Sequence, residues 1–115
     1  MTARRQLGRL VHDVGKYVAR TARNLPPEPT REMVDMLVRD LYELRPGQHA
    51  SAVFAALVAF EGAPPLDDVR ALFAEIDRLE PEVRAGAPAA VGRAAGLACD
   101  VEARLRALAG MAVGA

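Results

Sequence analysis

Proline and glycine set the limits of what this chain can fold into. Pro26, Pro27 and Pro29, then Pro46-Gly47, then Gly62 with Pro64-Pro65, then Pro81, Gly86 and Pro88 interrupt it at roughly helix-length intervals. Proline removes an amide donor and clashes with the preceding turn, and glycine takes up the conformations that end helices. Between these breaks the apolar residues recur at three- and four-residue spacing, and no alternating strand pattern occurs. Tyr, Phe and Trp together number five, with no Trp, so the core must come from Ala, Leu and Val. Closely packed helices suit that inventory better than a β-sandwich does. The expectation is an all-α fold, a single compact bundle of about five helices forming one domain over residues 1–115.

The first helix is predicted from Thr2 or Ala3 to Asn24. Thr30 is a candidate N-cap for a second, Arg31–Leu44, with Met33, Leu37, Leu41 and Leu44 inward and Glu32, Asp35, Arg39 and Glu43 outward. A third, Gln48–Glu61, is apolar nearly all round and is expected to be the most buried. The fourth, Leu66–Leu79, places Leu66, Val69, Leu72, Phe73, Ile76 and Leu79 on one side, with Asp67 and Asp68 complementing its dipole. Pro81 ends or kinks it. The fifth, Pro88–Met111, carries Val91, Leu97, Val101, Leu105 and Leu108, with a small-residue spacing at Gly92 and Gly96 and a fraying end from Gly110 onward.

The stretch Leu7–Asn24 has three distinct sides. Leu7, Leu10, Val11, Val14, Val18 and Leu25 form an apolar stripe. Beside it lie Gly8, Gly15, Ala19 and Ala22, with His12 at their outer border, and beyond His12 come Arg5, Arg9, Lys16, Arg20 and Arg23. Each internal glycine costs the helix about 1 kcal/mol relative to alanine. Close approach by another helix, either a neighbour in the same bundle or a partner, offsets that cost. Net charge is zero but unevenly spread. Residues 1–31 hold seven cations and two anions, a net of +5, and the remainder is therefore −5. Such asymmetry implies an acidic partner for the first helix or ion pairing between the halves.

Cys99 is alone, which excludes an intramolecular disulfide, fits a reducing compartment and reads as a small buried hydrophobe. Arg4 and Arg5 are followed by no apolar run of signal-peptide type, and Ala50–Phe60 is too short to span a bilayer, so a cytoplasmic location and no membrane partner are expected. No phosphate loop or zinc-ligand spacing occurs, and no metal or cofactor is expected. Zero net charge and few aromatics argue against nucleic acid.

The most conspicuous string is His12-Asp13-Val14-Gly15-Lys16. It resembles the HD-x-G-K signature of HD-domain phosphohydrolases, which would imply a metal activating water. That family needs a further histidine upstream and an additional distal aspartate; no histidine precedes His12 here, and the other histidine, His49, comes later and reads as a capping or surface residue. The same string resembles histidine phosphotransfer and dimerisation helices, which would make His12 a phosphoacceptor with Lys16 and Arg9 as phosphoryl-binding cations. Gly15 precedes Lys16 here, whereas phosphotransfer domains commonly reverse that order. A third reading makes His12 a boundary residue packed beside the glycines. In size and helical layout, with HDVGKYVARTARNL as its most distinctive string, the chain also resembles RomX-type bacterial polarity regulators. That resemblance implies a partner-binding protein acting with a response regulator on a Ras-like GTPase. The sequence reading is therefore a non-catalytic signalling adaptor. Arg5, Arg9, His12, Lys16, Arg20 and Arg23 bind an acidic protein partner, a response regulator or small GTPase, and Gly8, Gly15 and Ala19 serve helix packing.

Overall fold

The computed structural model describes the backbone of residues 2–49, 55 and 67–114, with side chains at 8–9, 11–49, 55 and 67–107. Five α-helices lie wholly among these residues, α1 Thr2–Ala19, α2 Arg31–Val38, α3 Asp67–Arg78, α4 Glu80–Arg84 and α5 Pro88–Gly114, and residues 46–49 are helical as well. A 3-10 turn, Ala22–Asn24, follows α1, and a π-turn, Arg39–Glu43, continues α2. No strand occurs among the described residues, so the chain is an all-α bundle. At about 1.5 Å per residue, α5 alone runs about 40 Å and sets the long dimension of a 45 × 22 × 18 Å body.

The principal interface is α1 against α5. On α5 the buried positions Val91, Ala94, Ala98, Val101 and Leu105 repeat at alternating three- and four-residue steps, the spacing of a helix-pairing seam. On α1 Val11, Val14, Val18 and Ala19 are buried, and Ala22 continues the face into the 3-10 turn. Fully burying a valine or leucine removes enough apolar area to be worth about 1.5–3 kcal/mol, and Val18, Val101 and Leu105 all reach that state. Gly15, in the small-residue stripe of α1, belongs to this seam. A Cβ placed on Gly15 would lie 3.3 Å from Leu105 Cβ and 3.7 Å from Glu102 Cα. Glycine lets α5 lie against the backbone of α1 there.

Thr30 caps α2 by accepting a hydrogen bond from the Met33 amide at 3.3 Å. Val69, Phe73 and Ile76 of α3 are buried, with Leu72 and Leu79 packed at the edge of the core. The helix breaks at Leu79, and Pro81 falls in the first turn of α4, where its missing amide costs nothing. Gly86, at φ +79, makes the turn into α5 in a conformation other residues avoid.

Several expectations are corrected. The α-helical part of the first helix stops at Ala19 instead of Asn24, because Arg20 and Thr21 turn their side chains onto Asp40. The second helix loosens into the π-turn after Val38. Its inward residues are Val34, Leu37, Val38, Leu41 and Tyr42, while Met33 is only half-buried and Leu44 is exposed. Among the described residues nothing lies within 4 Å of a Cβ built on Gly92 or Gly96, and both glycines are exposed, so neither packs against a described helix. The α5 backbone remains helical to Gly114, and Cys99 is half-buried. Of the predicted third helix, residues 48–49 and 55 are helical, and the rest of Gln48–Glu61 lies outside the described residues.

Candidate functional site

The seam of α1 against α5 fixes the rotation of α1, and with it what α1 shows to solvent. Gly8, Gly15 and Ala19 are buried, while Arg9, His12 and Lys16 are exposed. These three stand at i, i+3 and i+7, so they line one edge of the helix over two turns. Asp13 is half-buried beside them, and Tyr17 is exposed one residue beyond Lys16. Among the described residues, Arg9 and Lys16 form no ion pair. The backbone of Arg5 lies on α1, and its side chain is outside the described set.

Arg20 and Arg23 have a different role. The Arg20 guanidinium meets Asp40 Oδ1 at 2.5 Å, and Thr21 Oγ1 donates to Asp40 Oδ2 at 2.5 Å. Asp40 is completely buried within the π-turn, so both of its oxygens are answered from the end of α1. The Arg20 side chain also lies 5.9 Å from the centre of the Tyr17 ring. Arg23 approaches Glu102 Oε2 at 3.5 Å and donates from Nε to the Ala19 carbonyl at 3.4 Å. Arg106 holds the other oxygen of Glu102 at 3.3 Å. Glu102 Oε2 is buried without a hydrogen-bond partner, so that carboxylate is only half satisfied. Two of the predicted partner-binding cations are therefore spent on acids elsewhere in the chain, which removes part of the charge asymmetry internally.

Sequence reasoning missed Asp40 and Glu102. Both carried a signal. Asp40 interrupts the apolar run Leu37-Val38-Leu41-Tyr42, and Glu102 falls on the seam between Ala98 and Leu105. An acid on an apolar stripe that faces a cationic helix is a candidate for cross-helix pairing.

A second concave region lies between the π-turn, residues 45–48 and α3. It is a cleft of about 780 Å³ floored by Leu41 and Phe73 and edged by Arg45, Arg70, Asp77 and Glu80. Tyr42 closes its inner end, donating its hydroxyl to the Ile76 carbonyl at 2.7 Å. Burial, and then the nearby carboxylates of Glu80 and Asp77, push the Tyr42 phenol well above its usual range. Burial and Glu80 also push the Asp77 carboxyl upward.

Chemically, the exposed edge of α1 can bind anions: two cations flank an accessible imidazole. Among the described residues no group of three or more His, Cys, Asp or Glu converges on a point that would hold a metal. Burial, followed by Glu102 and Asp100, raises the Cys99 thiol, which opposes formation of a nucleophilic thiolate. His49 is exposed at a helix start, its amide bonded to the Arg45 carbonyl. No helix among the described residues is long and apolar enough to cross a membrane. No protein-family profile matches the chain, and no curated protein or solved structure matches it.

Proposed function

We propose that this protein is a non-catalytic binding module whose α1 edge, Arg9, His12 and Lys16, docks on an acidic protein surface. The observation that carries this reading is the split of the cations on α1 and the turn that follows it. Arg20 and Arg23 are committed to Asp40 and Glu102, while Arg9 and Lys16 stand exposed on either side of His12. Exposed cations with no ion pair among the described residues are suited to complementary charge on a partner, and they would speed encounter more than they tighten the complex. Response-regulator proteins and Ras-like GTPases are the partners proposed, in keeping with the RomX-type resemblance, and the cytoplasm is the location proposed.

The experiment is affinity capture from native lysate with wild type, His12→Gln and Arg9→Glu/Lys16→Glu. A specific partner retained by His12→Gln and lost by the charge reversal supports docking. Capture unchanged by the reversal rejects this edge as the interface. The exposure of His12 favours one second reading, phosphotransfer, which requires an accessible imidazole beside cations. Incubation with a phosphoryl donor followed by phosphohistidine detection distinguishes it, since every replacement of His12 abolishes that signal.

A further inference from the structure

Charged side chains around α3 and α4 mostly neutralise one another. Arg78 and Arg93 meet Glu75, Arg84 meets Glu80 and Glu43, and Arg104 meets Asp68. The cleft beside them departs from this pattern. Arg45, Arg70 and Asp77 all line it, and among the described residues none of the three is ion-paired. Opposite charges in one cleft that do not pair with each other leave room for a molecule between them.

The backbone adds a second observation. Arg45 has φ 51, the left-handed conformation that glycine or asparagine adopts with least strain, and it is the non-glycine residue found there among the described ones. Gly47, two residues later, packs against Phe73, where a Cβ would lie 3.4 Å from Cδ1. The left-handed residue directly after the cap Leu44 ends the helical segment and sets Arg45 on the lining of the cleft. Arg70 and Asp77 are seven residues apart on α3, about 10 Å along its axis, with Phe73 between them. The cleft thus brings two cations, an apolar floor and a carboxylate together, and its volume of about 780 Å³ lies in the range of small-molecule sites.

We infer that this cleft binds a small zwitterion of amino-acid type, its carboxylate held by Arg45 and Arg70, its aliphatic body against Leu41 and Phe73, and its ammonium at Asp77. The guanidinium fork matches a carboxylate in two-point contact. Asp77, which has no ion-pair partner among the described residues, gains a cation from the ligand. The site involves no residue of α1 and stands or falls independently of the docking edge.

The test uses Nα-acetyl-lysine, which carries one carboxylate and one ammonium, titrated against the full chain while the NMR signals of Gly47, Phe73 and Ala74 are followed. Nα-acetyl-norleucine lacks the ammonium, and the methylamide of Nα-acetyl-lysine lacks the carboxylate. Each is expected to bind about fivefold more weakly than the parent, the size of a single solvated ion pair. Arg45→Gln/Arg70→Gln is expected to abolish discrimination against the methylamide, and Asp77→Asn discrimination against the norleucine compound, each with an unchanged melting profile or better. Equal binding of all three compounds, binding of the norleucine compound as tight as the parent, or no saturable shift at tens of millimolar overturns the inference.

Discussion

Arg20 and Asp40 lie twenty residues apart and meet at 2.5 Å, one partner half in solvent and the other fully buried. This one-sided pair ties the end of α1 to the π-turn that follows α2. Its energetics are correspondingly one-sided. Losing the arginine leaves a buried carboxylate answered only by Thr21, whereas losing both groups leaves a site that apolar side chains can fill. Arg20→Ala should therefore destabilise the fold by about 3 kcal/mol. Arg20→Met/Asp40→Leu should recover most of that loss, as read from urea denaturation midpoints. A double variant as unstable as the single one would mean that the charge itself, and not its desolvation, holds the turn.

Gly15 bears on whether the small stripe of α1 is for packing or for a partner. Alanine there gains about 1 kcal/mol of helix propensity, but its Cβ meets Leu105 Cβ at 3.3 Å, an atom fixed to the α5 backbone. Gly15→Ala should be close to neutral. Gly15→Leu cannot be accommodated without separating α1 from α5 and should cost about 3 kcal/mol, as overpacked cores do. Thermal melting measures both, and a Gly15→Leu protein that melts with wild type would remove Gly15 from the internal seam.

Tyr42 sets a limit on alkaline stability. Its phenol is raised above the ordinary value of 10.0, first by burial and then by Glu80 and Asp77. The folded protein therefore keeps a proton that the unfolded chain releases above pH 10. Stability from this group is fully present below pH 10 and falls as pH rises beyond it, by up to about 1.4 kcal/mol per pH unit until the folded phenol itself ionises. Tyr42→Phe should cost about 1 kcal/mol at pH 7 through the lost hydrogen bond to the Ile76 carbonyl. It should also flatten the decline above pH 10. Parallel slopes in the two proteins between pH 10 and 11 would show that the phenol ionises freely in the fold.

The helical architecture was legible because proline and glycine cut the chain into lengths whose apolar spacing could be read directly. Thr30 as a cap, the inward Val69-Phe73-Ile76 face and the burial of Val11, Val14 and Val18 all follow from local pattern. What local pattern does not contain is the partner of a side chain. Arg9, Lys16, Arg20 and Arg23 share one cationic face in the sequence, and only the path of the π-turn and of α5 brings buried acids within reach of the last two. The π-turn was hidden for the same reason. Arg31–Leu44 reads as one continuous helix until Asp40 has to reach Thr21 and Arg20. The cleft was illegible altogether, since it joins residue 45 to α3 across a long stretch of chain.

Glu102 gives the sharpest contrast with Asp40. It too is a buried acid facing an arginine just beyond α1, yet Oε2 has no hydrogen bond and Arg23 stays 3.5 Å away. An acid that pays desolvation without full compensation is a candidate for stabilisation by removal. Glu102 sits on the seam between Ala98 and Leu105, with the Gly15 backbone close to its Cα, so an unbranched apolar side chain of similar length fits its course. Arg23 and Arg106 are both substantially exposed and rehydrate once the acid is gone. Glu102→Met should hold stability within about 1 kcal/mol of wild type or raise it. Arg23→Ala should lower it, by leaving the carboxylate with Arg106 alone. Chemical denaturation of the two variants side by side decides the matter. A Glu102→Met protein less stable than Arg23→Ala would mean that the carboxylate is fully compensated in the folded state and that the α1–α5 seam depends on it.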